Sequence, residues 1–171
     1  EVGGKVFLKN NFESRGVVNF NSSQIGNDFD CSGGKFLKDF TCKGAKIIGT
    51  IFMKDGFESN GKVDFTSSEV GRLECTGGKF LNEKTALSFN SSKINGMVFL
   101  NDGFESKGEI DFISAEILGS LFCGNGKFNA NLSGKALTFE GAKINKSVFF
   151  NNNFESNGII DFEIGRASCR E

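Results

Sequence analysis

The chain contains no proline, histidine, tryptophan or tyrosine among its 171 residues. Without histidine it lacks the side chain that most often serves as a general base and as a metal ligand. The absence of proline favours a backbone whose N–H groups are nearly all needed in a hydrogen-bonded β-ladder. The chain is instead rich in Phe and Gly, with 21 and 23 residues, a combination that is typical of short strands joined by tight turns.

Charge and hydropathy exclude further classes of protein. The 20 basic and 21 acidic residues nearly cancel, so no broad electrostatic field steers the chain towards nucleic acid or an anionic membrane. The sequence also lacks a run of about 18 apolar residues, the length that a transmembrane helix needs. We therefore expect no nucleic-acid partner and no membrane insertion.

Two repeated triplets dominate the sequence. Phe-Glu-Ser occurs four times, and Gly-Lys-Phe lies in each interval between its copies. The Phe residues of these triplets are, in chain order, Phe12, Phe36, Phe57, Phe80, Phe104, Phe128 and Phe154. Their spacing gives a repeat of roughly 22 residues. Each repeat divides into steps of about five and six residues between apolar positions, which helical periodicity does not explain and four short strands per repeat do.

Stacking the repeats aligns four apolar columns, which begin at Phe12, Phe20, Ile25 and Leu8. The sequence therefore predicts an all-β fold, a right-handed parallel β-helix of about seven coils with four short faces per coil. We interpret the seven Phe residues of the triplets as its structural core column. We expect the Glu and Ser that follow Phe12 and its equivalents, and the Gly nearby, to turn a corner.

These steps resemble those of a known family. Small residues two positions before an apolar one, as in "SSQI" at 22–25, "GAKI" at 44–47 and "SAEI" at 114–117, are similar to the repeats of the pentapeptide-repeat proteins. The resemblance covers most of 5–162, although six-residue steps and corner insertions interrupt the strict five. It implies a right-handed quadrilateral β-helix. Members of the family include DNA-mimicking gyrase-binding proteins and bacterial effectors, and some proteins with similar strings carry an oxidoreductase label.

The repeat pattern defines a single β-helical domain over 1–162. Residues 163–171 read "EIGRASCRE" and break the pattern. They look like the in-frame translation of a sequencing adapter, so we interpret them as a non-native tail. Because the chain starts at Glu1 rather than Met, we expect the domain to be a fragment of a longer solenoid.

Four cysteines lie at inward positions of the predicted coils, at Cys31, Cys42, Cys75 and Cys123. Their separations do not match the close pairs, such as C-x2-C, that structural metal sites need. Neighbours in one column would be about 9–10 Å apart, whereas a disulfide needs Cα atoms within about 7 Å. We expect buried free thiols, which favour a reducing compartment such as the cytoplasm, and no metal or other cofactor.

Outward carboxylates are the candidates for acid–base chemistry. Asp64, Asp111 and Asp161 lie on the predicted first face, and Glu58 and its equivalents lie near Lys35 and its equivalents on the fourth. Pairs of carboxylates in a groove perform such chemistry in many hydrolases. Regularly spaced charges on a solenoid are more often a solvated surface, so we expect no catalytic residue and no enzymatic activity.

The third face carries strands of three consecutive apolar residues, as in "VFL" at 6–8. The middle residue faces out, because matching strands place Asp30 and Glu74 there and a charge has no partner inside an apolar tube. These middle residues form a candidate protein-interaction stripe, hereafter the Phe stripe: Phe7, Phe52, Phe99, Phe122 and Phe149. The equivalent residues of the first face, such as Asp64 and Thr138, are polar, so we expect one solvated face and one apolar face.

The predicted function is binding. We expect a non-enzymatic solenoid that scaffolds or binds a protein partner, or another copy of itself, through the Phe stripe. A first alternative is a DNA-mimicking, topoisomerase-binding protein, which the resemblance implies and the near-zero net charge disfavours. A second is a repeat segment of a larger protein, such as an enzyme with an oxidoreductase label, although the chain has no nucleotide-binding fingerprint.

Overall fold

The structure, a computed structural model, describes residues 1–163. Over this range the chain is all β, with 25 short strands and no helix. It forms the predicted β-solenoid, with about seven coils of roughly 23 residues each. The predicted non-native tail, apart from Glu163, lies outside the described residues and stays a prediction.

Most of the strands contain only two or three residues. In chain order they are β1 (Val6–Phe7), β2 (Glu13–Ser14), β3 (Val18–Asn19), β4 (Gln24–Ile25), β5 (Phe29–Asp30), β6 (Lys35–Phe36), β7 (Phe40–Thr41), β8 (Lys46–Phe52), β9 (Glu58–Ser59), β10 (Val63–Asp64), β11 (Glu69–Glu74), β12 (Lys79–Phe80), β13 (Thr85–Ser88), β14 (Lys93–Ile94), β15 (Val98–Phe99), β16 (Glu105–Ser106), β17 (Glu109–Asp111), β18 (Glu116–Ile117), β19 (Leu121–Phe122), β20 (Lys127–Asn129), β21 (Lys135–Thr138), β22 (Lys143–Ile144), β23 (Val148–Phe149), β24 (Glu155–Asn157) and β25 (Ile159–Asp161).

The strands stack in four rows, one for each face. The first row is β3-β7-β10-β13-β17-β21-β25, and the fourth is β2-β6-β9-β12-β16-β20-β24. The second and third rows join into one 11-stranded sheet, because β8 and β11 run across both. The second row is β4, β8, β11, β14, β18 and β22, and the third is β1, β5, β8, β11, β15, β19 and β23. The pairings are parallel, so the backbone groups of each coil bond to the coils on either side.

Stacked Phe rings fill much of the interior. The core column runs without a break from Phe12 to Phe154, with successive ring centroids 5.0–5.5 Å apart. Its five inner members are buried, whereas the two end members are half-buried. A second ladder of rings runs along the first face from Phe65 to Phe162 at 4.5–5.8 Å. Each buried Phe contributes about 1.5–3 kcal/mol, so these ladders supply a large share of the stability.

The core column is continuous in space but not in register. Phe36 lies opposite Ser59, whereas Phe57, two positions before that serine, lies opposite Gly34. Alternate coils therefore fill the same space from two different backbone positions. The expectation that the Glu and Ser of the Phe-Glu-Ser triplet turn a corner is wrong, because Glu58 and Ser59 are strand residues. Ser59 is buried, and its hydroxyl donates to the Gly61 carbonyl oxygen at 2.9 Å.

The shift in register arises in the turn between the third and fourth rows, hereafter the third corner. In Phe-Glu-Ser coils this corner has two residues with positive φ, such as Asp55 (52°) and Gly56 (90°), whereas Gly-Lys-Phe coils have one, such as Gly77 (67°). All of these positions hold Asn, Asp or Gly, which adopt this conformation at least cost. They are Asn10, Asn11, Gly33, Asp55, Gly56, Gly77, Asp102, Gly103, Asn125, Asn152 and Asn153.

Close packing explains the glycine of the Gly-Lys-Phe triplet. A Cβ atom at Gly34 would lie 2.6 Å from the Leu8 carbonyl oxygen and 3.1 Å from the ring of Phe36. Gly78 and Gly126 face the equivalent carbonyl and ring. The glycine makes room for the Phe that follows two positions later, so the two residues recur together.

Candidate functional site

The Phe stripe lies on the outer surface of the third row. In register order its members and the intervening residues are Phe7, Asp30, Phe52, Glu74, Phe99, Phe122 and Phe149. The strand neighbours of Phe52, Ile51 and Met53, are both 0% exposed. Because side chains alternate along a strand, buried neighbours on both sides place the stripe residues on the outside.

The stripe divides into two parts. Phe99, Phe122 and Phe149 form a ladder of nearly parallel rings, hereafter the aromatic ladder, with centroids 4.8 Å apart and interplanar angles of 8° and 9°. The other two members, Phe7 and Phe52, are separated by the acidic rungs. Exposure is uneven, at 56% for Phe7 and 37% for Phe149, with the other three half-buried. The apolar surface is therefore contiguous only over the aromatic ladder.

An arginine covers the inner end of the aromatic ladder. The Arg72 guanidinium carbon lies 4.5 Å from the centroid of the Phe99 ring. Its Nη2 donates to Glu74 Oε2 at 2.8 Å, and the Thr76 hydroxyl donates to the other carboxylate oxygen. The acid is thus neutralised within its own coil.

The first face is less solvated than expected. Asp64, Ser88 and Thr138 are only 5%, 1% and 0% exposed. Asp64 accepts hydrogen bonds from the Thr66 N–H and hydroxyl and pairs with Lys62 Nζ at 2.9 Å. The prediction of a solvated face is wrong for these residues, because their polar groups bond to one another and to neighbouring side chains. The Ser88 hydroxyl donates to Asp111 at 2.9 Å, and the Thr138 hydroxyl donates to Glu109.

The hydrogen bonds on this face set the protonation of its most buried acid. Burial by itself would raise the pKa of Asp64, but the Thr66 hydrogen bonds and the Lys62 ion pair outweigh it and lower the pKa to about 2. The carboxylate is therefore ionised and fully bonded at neutral pH. A general acid or base instead needs a pKa near the working pH and an accessible proton. This geometry favours a structural role for Asp64.

The fourth face carries a ladder of alternating charge. Its outward residues are, in register order, Glu13, Lys35, Glu58, Lys79, Glu105, Lys127 and Glu155. Lys127 and Glu155 approach to 3.6 Å, with side chains 59% and 62% exposed. Exposed pairs of this kind contribute under about 1 kcal/mol each. On the described coils the charges alternate rather than form a continuous acidic strip.

Among the described residues, four cysteines lie in the interior and are unpaired: Cys31, Cys42, Cys75 and Cys123. Burial raises the pKa of all four thiols, which keeps them protonated and unreactive at neutral pH. Within residues 1–163, no three acidic, Cys or His side chains are grouped closely enough to hold a metal ion. The same range includes no helix of the length and apolarity that would cross a membrane.

A recess at the third corner was not anticipated from the sequence. It has a volume of about 400 Å³. It is lined by Lys9, Asn10, Asp30, Ser32, Gly33, Phe52, Lys54 and Asp55. These residues come from three successive coils, so a prediction made strand by strand could not assemble them. The available signal was the short Gly33-Gly34 corner between two longer ones.

Comparison with known proteins yields no relative. No family model, curated protein or solved structure matches the chain. The resemblance to pentapeptide-repeat proteins therefore stays a prediction. The aromatic ladder and the recess beside Asp30 are two surface features that the stacking of the coils does not explain.

Proposed function

We propose that this solenoid is a non-enzymatic binding protein that associates with another protein chain through its third face. The observation that carries the proposal is the aromatic ladder, three stacked Phe rings on the outside of a coil stack whose first and fourth faces are polar or charged. Contiguous apolar patches on an outer surface usually mark association sites. Aromatic residues are also enriched in the cores of protein interfaces.

The rings of the aromatic ladder are ordered before any partner binds. Each ring is held by its neighbour at 4.8 Å and by a strand that is bonded on both sides, except at the Phe149 end. Side chains that are already ordered lose little conformational entropy on binding, so more of the gain from burial appears as affinity. The near-parallel rings present a flat surface, which suits the face of a second sheet or an apolar helix.

We also propose that the chain is a pentapeptide-repeat-like protein. The support is the stack of parallel coils with four rows of short strands, which is the architecture that the resemblance implied. At the turn into the second row, a residue with positive φ is followed by a small residue, as in Gly44 (φ 62°) and Ala45. Some members of that family act by binding other proteins, which supports a binding role for this chain.

Mimicry of DNA has less support than association through the third face. A mimic needs a continuous acidic surface, whereas the fourth face alternates Glu and Lys and the net charge is −1. On the first face, Asp64 is 5% exposed and paired with lysine. Inhibition of supercoiling by the purified chain would reverse this preference.

Replacing the ladder tests the proposal. The variant carries Phe99→Ser, Phe122→Ser and Phe149→Ser, and the matched control carries Leu37→Ser and Ile48→Ser, which are 38% and 58% exposed outside the stripe. Sedimentation equilibrium measures self-association, and quantitative affinity capture measures partner binding. We expect the ladder variant to lose at least about tenfold in affinity and the control to bind as wild type. A folded ladder variant with unchanged association would contradict the proposal.

A further inference from the structure

Outward charges alternate on the second face as well as on the fourth. Phe-Glu-Ser coils place lysine in the second row and glutamate in the fourth, and Gly-Lys-Phe coils do the reverse, with Gln24 in place of the first acid. Lys46 approaches Glu69 to 3.5 Å, and Lys143 approaches Glu116 to 3.7 Å. In register order the outward residues of the second row are Gln24, Lys46, Glu69, Lys93, Glu116 and Lys143.

The first row alternates with the same period. Its outward residues are, in register order, Asn19, Thr41, Asp64, Ser88, Asp111, Thr138 and Asp161. Gly-Lys-Phe coils carry Asp or Asn in this row, and Phe-Glu-Ser coils carry Thr or Ser. The Ser88 hydroxyl donates to Asp111 at 2.9 Å and lies 3.4 Å from the Thr66 hydroxyl. The Thr66 hydroxyl in turn donates to Asp64 at 2.6 Å, so hydroxyl groups separate the two acids.

The third corner adds a contact between unlike coils. A Cβ atom at Gly33, in the short form of the corner, would lie 3.3 Å from the carbonyl oxygen of Asp55, in the long form. Gly77 and Asp102 repeat this contact at 3.6 Å. The third row follows the same order, with Phe in Phe-Glu-Ser coils and an acid in Gly-Lys-Phe coils, except at Phe122. Three rows and the third corner therefore share a period of two coils, and the third row departs from it once.

The residue types of the core column do not distinguish one kind of coil from the other, because every coil contributes a Phe. In most sheets the apolar pattern sets the register, since a shift of one residue turns the apolar side chains outward. A shift by one whole coil would instead keep the apolar side chains inside. The outward residues oppose such a shift, because two coils of the same kind in contact place like charges opposite each other, which destabilises the pairing.

We propose that the outward residues fix the order of the coils, so that each coil is matched to neighbours of the other kind and the repeating unit of the solenoid is a pair of coils. Asp64 and Asp111 illustrate what this order prevents. Without Ser88 between them the two carboxylates would repel each other, and Asp64 is only 5% exposed. The exposed pairs of the second and fourth rows contribute less each, but they recur in successive coils. This inference concerns the stacking of coils and does not depend on a binding partner.

Two insertions into the full chain test the proposal. One variant repeats 89–111 directly after Asp111 and adds one coil, and the other repeats 65–111 at the same place and adds two. Both insertions join Asp111 to a Phe that holds the register position of Phe112. The two-coil insertion preserves the alternation, whereas the one-coil insertion sets Lys93, Glu105 and Asp111 beside their own copies.

We expect the two-coil insertion to melt at or above the temperature of wild type, because matched coils add stabilising interfaces. The one-coil insertion should melt at least about 3 °C below wild type, although it also lengthens the core. A one-coil insertion that melts at or above wild type would overturn the proposal. So would a two-coil insertion that fails to fold or melts no higher than the one-coil insertion.

Substitutions in the inserted coil separate the effect of charge from distortion at the junction. Lys93→Gln, Glu105→Gln and Asp111→Asn, made only in the inserted copy of the one-coil variant, remove the like-charge contacts and should raise its melting temperature. The same three substitutions in the chain without an insertion remove matched groups and should lower its melting temperature. Effects of the same sign in the two chains would overturn the proposal. If the one-coil insertion does not fold, the substituted insertion should fold, and its failure to do so would also overturn the proposal.

Discussion

Truncation of Phe80 tests the packing of the core column most severely. Phe80 is 0% exposed, and its ring centroid lies 5.1 Å from that of Phe57 and 5.3 Å from that of Phe104. Removal of a buried Phe side chain costs about 3–5 kcal/mol, because transfer energy is lost and a cavity remains. We expect Phe80→Ala to lower the free energy of unfolding by about 4 kcal/mol. In a chain of this size that corresponds to a fall in melting temperature of about 8–16 °C.

The assay is urea unfolding followed by far-ultraviolet circular dichroism, because the chain has no Trp or Tyr for fluorescence. Phe12→Ala is the matched control. Phe12 belongs to the same column but is half-buried, and it contacts one ring of that column, Phe36, at 5.5 Å. We expect it to lose about half as much stability. Equal losses for the two variants, or a loss below about 1 kcal/mol for Phe80→Ala, would refute the assignment of the column as a main source of stability.

Three further predictions concern single positions. Gly78→Ala should lower the free energy of unfolding by about 2–3 kcal/mol, because the added Cβ would clash with the Met53 carbonyl oxygen. The control Gly16→Ala should change it by under about 0.5 kcal/mol, because no atom lies within 4 Å of the added Cβ. Equal melting temperatures for the two variants would contradict this prediction. Asp64→Asn should destabilise the protein by about 1–2 kcal/mol at pH 7. Since the pKa of Asp64 is lowered to about 2, this difference should persist above about pH 4 and vanish as the pH falls towards 2, so a pH-independent difference would count against the ion pair. Cys75 and the other described cysteines should react with a thiol reagent only after denaturation, and rapid labelling of the native protein would show that they are not buried.

The architecture was predictable because the relevant signals are local and repeated. Apolar residues recur at steps that fit short strands and not helices, and no proline interrupts them. The outward direction of the Phe stripe followed from Asp30 and Glu74, since a charge at the matching position cannot face an apolar interior. Neither inference depended on how one coil contacts the next.

The features that the sequence did not predict depend on contacts between coils. Phe57 and Phe80 both appear as inward residues in the sequence, but Phe80 lies opposite Ser59, so the register of the two rings differs by two positions. The corner before Phe57 has one more left-handed residue than the corner before Phe80. Similarly, Asp64 is polar and on an outward position, yet Lys62 and its neighbours bury it. Residue propensities alone carry no information on how one coil covers the next.

Site-specific photo-crosslinking can show directly whether the third face is the association surface. The photoreactive residue p-benzoylphenylalanine replaces Phe122 in the aromatic ladder, and in a matched control it replaces Leu37, which is 38% exposed outside the stripe. We expect a discrete protein adduct, or a crosslinked dimer, from position 122 and none from position 37. Equal crosslinking at both positions, or none at 122 under conditions where the protein associates, would contradict it.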